Sequence, residues 1–100
     1  METQEYKTEG LRFTVPANPT VRQQLQYVGA AAFASGNEFV IRLWSGALAL
    51  ILEWECELVP DPKAFDMDKE TSAKAADLIT WATMRVREHM NALDATEKNS

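Results

Sequence analysis

The chain has 100 residues, 46% of them apolar, with 10 basic and 15 acidic side chains and a net charge of −5. That length suits one domain with one modest core, and an acidic balance with scattered Lys and Arg argues against nucleic acid as a partner. The single cysteine, Cys56, excludes an internal disulfide and reads as a small buried hydrophobe.

The opening decapeptide METQEYKTEG carries three glutamates, has no apolar run and ends in Gly10. It is therefore read as a flexible N-terminal segment, 1–10, and not as a signal peptide. Leu11, Phe13 and Val15 then alternate with Arg12 and Thr14 until Pro16. This is the pattern of a short strand or extended arm, which must find a pairing partner for its backbone groups. In the following segment Asn18 can cap, Pro19 suits a first helical position and Gly36 can stop a helix. Val21, Leu25, Val28 and Ala32 form a narrow apolar stripe there, expected to be a slim core face.

The segment from Glu38 to Glu57 is the decisive one. At about 100° per residue, Glu38, Arg42, Ser45, Gly46, Ala49, Glu53 and Glu57 collect on one stripe, and apolar side chains fill most of the remaining circumference. Glu38 precedes Arg42 by four residues, the favourable order for a helical ion pair. Leu52 to Leu58 also alternates apolar and acidic residues as a strand would. A strand over the whole segment would need about twenty residues where five or six are usual. The segment is accordingly read as one long helix whose regular part ends around Trp54–Glu57. A helix apolar over so much of its surface is expected to be central and to favour self-association. Its longest uncharged run, Leu43 to Leu52, is half of the roughly 20 residues a bilayer span requires. No membrane segment is therefore expected, and the expected compartment is the cytoplasm.

VPDPKAFDMD reads as a loop, with Phe65 and Met67 clamping it to the core. The last helix is expected to start between Asp68 and Ser72 and to run to about Leu93. Ala75, Leu78, Ile79, Ala82, Val86, Met90 and Leu93 form its inner face, while Trp81 and Met84 lie well round from it. The fold expected is mainly α: a helical domain of about three helices over 11–94, with a short extended or β N-terminal arm and a flexible tail over 95–100.

Nothing in the sequence supports catalysis, a metal site or a cofactor. His89 is the only histidine, and REHMN supplies no second ligand at helical spacing. Glu53 and Glu57 lack a partner for acid–base work and read as a solvated stripe. Asp61, Asp66 and Asp68 lack the glycine and closing glutamate of a calcium loop. Trp81 and Met84 read as a contact surface, or as side chains covered by the N-terminal arm or the 59–67 loop.

Taken in order, FTVPANPTVRQQLQY, RLW followed by LALILEWECELVPD, and LITWATMRVREHMNALDATEKN resemble the small tail assembly chaperones of long-tailed bacteriophages. The resemblance spans roughly 11–99 and implies a mainly helical, non-catalytic protein of the host cytoplasm. Such a protein would bind the tape-measure protein and assist tail-tube protein assembly around it. Candidate partner-binding residues are Trp81, Met84, Trp44, Trp54, Leu43 and Leu50, all of which could equally be core, and a homo-oligomer is expected. The competing readings are a small phage-encoded inhibitor of a host protein acting through an acidic surface, and a minor phage structural component.

Overall fold

Thr3–Thr8 and Leu11–Pro16 form an antiparallel hairpin of two strands, β1 and β2, in the computed structural model, which describes residues 2–69 and 71–98. Thr8 pairs with Leu11, so the connecting loop is Glu9 and Gly10, and Gly10 takes a φ of 89° that a side chain would strain. Within the decapeptide expected to be flexible, Thr3–Thr8 is thus a sheet strand. Its polar residues suited it to an edge, where charge is common.

β2 is the middle strand of three. Its second edge pairs with a two-residue strand, β3, Trp54–Glu55, in the order β1-β2-β3. Thr14 extends this pairing, its N–H donating to the Glu53 carbonyl and its hydroxyl accepting from the Glu53 N–H, while Leu52 N–H donates to the Thr14 carbonyl. Flanked on both edges, β2 is buried at every position except Arg12.

The remaining elements are α1, Val21–Ala31; a 3-10 turn, Gly36–Glu38; α2, Phe39–Ala47; and α3, Ala73–Lys98. Thr20, and not Asn18, caps α1: its hydroxyl accepts from Gln23 N–H while the Gln23 side chain accepts from Thr20 N–H, a reciprocal capping box. Ser72 caps α3, accepting from Ala75 N–H. α3 continues through Lys98, beyond the end expected near Leu93, and residues 99 and 100 of the expected tail lie outside the described residues.

Two expectations are corrected here. The domain is not mainly α but α+β, with a three-stranded antiparallel sheet packed on helices. The long middle helix is not formed either: α2 ends at Ala47, the chain turns through Leu48–Leu50, and within the acidic–apolar alternation that follows, Trp54–Glu55 is strand. The cause is the free edge of β2. Its buried N–H and C=O groups require partners, and only an extended segment can supply them in ladder order. The Glu38–Arg42 pair is formed, at 3.4 Å, within the surviving helical part.

The inner sheet face, with Leu11, Phe13 and Val15, meets α2 and α3 in one core that includes Leu43, Trp44, Ala47, Leu50, Ile51, Val59, Leu78, Ile79, Ala82 and Val86. α1 lies outside this layer and reaches α2 through Gly46. A Cβ on Gly46 would meet Tyr27 Cδ2 and the Tyr27 carbonyl at 3.1 Å and Ala30 Cβ at 3.2 Å. Gly29, in contrast, faces open space. Gly46→Val should therefore destabilise by about 1–3 kcal/mol through overpacking. Gly29→Ala should stabilise by up to about 1 kcal/mol through helix propensity. Urea denaturation of both variants checks the pair.

Candidate functional site

α1 carries the most exposed apolar surface of the described chain, on the side predicted to be its core face. Val21 is 71% exposed, Leu25 66% and Val28 55%, with Phe33 at 73% just beyond the helix. These positions recur at helical spacing, so they form one stripe along the helix. The buried side chain of α1 is Tyr27, roughly opposite, packed on Gly46. Periodicity revealed the amphipathic helix but assigned its inward side wrongly. Tyr27 and the small residues Ala30 and Ala31 make the inner contact instead.

Alongside this stripe runs an open groove of about 410 Å³ between α1 and the far end of α3. It is lined by Asn18, Pro19, Gln24, Tyr27, Val28, Met90, Asn91 and Leu93. None of these eight side chains is charged. Val28 belongs to both the groove and the exposed stripe, so the two make one neutral, partly apolar surface. Arg22 is the single charged residue between Ala17 and Asn37 in a chain of net charge −5.

The residues singled out from the sequence lie elsewhere. Leu43, Trp44 and Leu50 are buried in the core, and Trp81 and Met84 are half-buried against it. Trp81 meets the edge of Phe13 at 6.0 Å and is overlain by the Arg85 guanidinium at 5.7 Å. Trp54 is half-buried in β3, packs on Trp44 at 5.7 Å and donates its indole N–H to the Val59 carbonyl at 2.6 Å. The six candidates thus form or flank the core. None of them lines the groove beside α1.

Charge is concentrated on the outer sheet face. Arg12 reaches Glu5 at 3.4 Å and Glu53 and Glu55 at 3.5 Å each. Desolvation alone would lower the Arg12 pKa, but Glu5, Glu55 and Glu53 outweigh it and hold it above the ordinary arginine value. Such exposed, solvent-screened pairs add little to stability. Their main effect is to leave β3 a net acidic edge.

His89 is a structural side chain: its Nε2 lies 2.9 Å from the Pro16 carbonyl and its ring meets Tyr6 edge-on. The 59–67 loop is pinned by Phe65, half-buried against the core, whereas Met67 is 44% exposed. Asp61 and Asp66 accept from the backbone N–H groups of Lys63 and Asp68, as turn residues do. Among the described residues no cluster of His, Cys, Asp and Glu could hold a metal ion, and no helix is long and apolar enough to cross a membrane.

No family model matches this chain, and no curated protein or solved structure does so either. Geometry and residue chemistry therefore carry the functional argument.

Burial raises the Tyr6 hydroxyl pKa, with Glu88 pushing the same way and Arg85 opposing. Burial likewise raises Tyr27 against the pull of Arg87. A raised folded-state pKa favours the native state while the phenol is neutral. The contribution is full below the ordinary value of 10.0 and disappears as pH climbs through the raised values. Denaturant midpoints measured from neutral pH upward should hold steady and then fall above about pH 10, in step with tyrosinate absorbance.

Proposed function

We propose that this chain is a non-catalytic tail assembly chaperone that holds an apolar helical segment of a phage tape-measure protein in the host cytoplasm and assists tail-tube assembly. The observation that carries the reading is the outward apolar stripe Val21, Leu25 and Val28 beside a groove whose eight lining side chains, among the described residues, are uncharged. A groove between two helices offers a third helix a seat. A neutral lining suits an apolar client face better than a charged one. The order of sequence segments that resembles tail assembly chaperones supports the same class.

Magnitudes suit a chaperone that must release its client. The three α1 residues expose on the order of 300 Å², within the range typical of a functional patch on a monomer. Burying that much on each partner is worth about 15 kcal/mol gross. Association costs about 4–15 kcal/mol, so one subunit would hold its client reversibly.

Co-expression with a tape-measure fragment, followed by pull-down, tests this reading. Leu25→Glu and Val28→Glu should each lower capture by at least about tenfold, since each buries a charge in an apolar contact. Circular dichroism and thermal midpoint should stay at the parent values, because both side chains point away from the core. Full capture by both variants would defeat the proposal. Loss of partner binding on charge reversal at Glu53 and Glu57, with both α1 variants inert, would favour the inhibitor reading instead.

A further inference from the structure

We infer that the open edge of β1 docks a second copy of this chain, strand against antiparallel strand, in the register centred on Tyr6. Ala17 N–H donates to the Glu2 carbonyl, and the β1–β2 register places Gln4 opposite Val15, Tyr6 opposite Phe13 and Thr8 opposite Leu11. Hydrogen-bonded pairs recur every second residue in an antiparallel ladder. The even-numbered residues of β1 thus bond to β2. Thr3, Glu5 and Lys7 aim their N–H and C=O groups at the open edge. The opposite phase on β2, where Thr14 N–H turns to β3, agrees with this assignment.

A second β1 can bond there only if odd-numbered residues face odd-numbered residues. Centring the pair on Glu5 sets Glu5 against Glu5. Centring it on Lys7 sets Lys7 against Lys7. Centring it on Tyr6 sets Glu5 against Lys7 of the second copy, and by symmetry Lys7 against its Glu5. Directly opposed unlike charges stabilise a ladder and like charges disrupt it, so the Tyr6-centred register is favoured over the other two. The two Tyr6 side chains then form a non-hydrogen-bonded pair, the closer kind.

The state of these residues in one copy fits this use. Lys7 stands opposite Arg12 with no acidic partner among the described residues, whereas Glu5 is half-exposed beside Arg12. The Glu5 carbonyl, aimed outward, accepts only from the Gln4 side-chain amide at 3.2 Å, a bond a docking strand can replace. The other sheet edge is unsuited to self-pairing, because β3 has two residues, carries Glu55 and is preceded by Glu53. Mixed charge on the long edge and uniform charge on the short one direct association to β1.

Sedimentation velocity over a concentration series tests the inference. The parent should show a monomer–dimer equilibrium. Lys7→Glu should weaken it by at least about tenfold, by placing like charges opposite one another at two symmetric positions. The double variant Glu5→Lys/Lys7→Glu should restore it, because both cross-strand pairs return with their signs exchanged and the carboxylate now at position 7 also faces Arg12. In a Cys56→Ser background, Tyr6→Cys should form an intermolecular disulfide on mild oxidation and Gln4→Cys should not. A monomeric parent at every concentration overturns the proposal, as does a dimer indifferent to Lys7→Glu. Equal cross-linking at positions 4 and 6 also overturns it. The charge variants leave the core untouched, so they remain decisive if Tyr6→Cys fails to fold.

Discussion

Phe13 is the side chain on which the rest of the molecule leans. It has no exposed surface and sits at the middle of the middle strand. Tyr6 stacks on it at 5.4 Å from β1, Trp54 tilts against it at 5.9 Å from β3, and Trp81 meets it edge-on at 6.0 Å from α3. These are favourable aromatic separations, each worth about 0.5–1.5 kcal/mol beyond the area buried. One ring thereby joins the hairpin, the returning strand and the longest helix. Those elements are separated by most of the chain, so the core cannot form piecemeal.

The same arrangement decides what is left outside. The sheet face, α2 and α3 satisfy one another and enclose Leu43, Trp44 and Leu50. α1 packs on the outside of this layer, through Tyr27 and Ala30 against Gly46, a contact only small residues permit. A helix docked on its small-residue side must turn its larger aliphatic side chains outward. The neutral groove against α3, the acidic β3 edge and the mixed-charge β1 edge are three chemically distinct surfaces on one small domain. The proposed client seat and the proposed self-association edge lie on different elements, so the two proposals are compatible.

Several features were legible from local pattern. The alternation in Leu11–Pro16 identified β2 and its need for a partner, and the inner face of α3 from Ala75 to Val86 is buried as its spacing implied. The Glu38–Arg42 pair followed from spacing alone. The misreadings share one cause. Trp54 and Glu55 fit a helical wheel and a strand equally well, and what chose between them was the edge of β2, some forty residues earlier in the chain. Thr3–Thr8 carries too little apolar character to announce a strand, and becomes one because β2 lies two residues away.

What the sequence determined by itself was therefore the set of amphipathic segments, their punctuation by Gly10, Pro16, Pro60 and Pro62, and the acidic charge. These depend on neighbours a few residues apart. Only the tertiary structure decided which face of α1 is covered, which segment completes the sheet, and that Leu43, Trp44 and Leu50 are enclosed while Trp54, Trp81 and Met84 flank the core. A periodic pattern states that a helix has two unlike sides. Which side meets another surface depends on shapes and unpaired backbone groups brought together from distant parts of the chain.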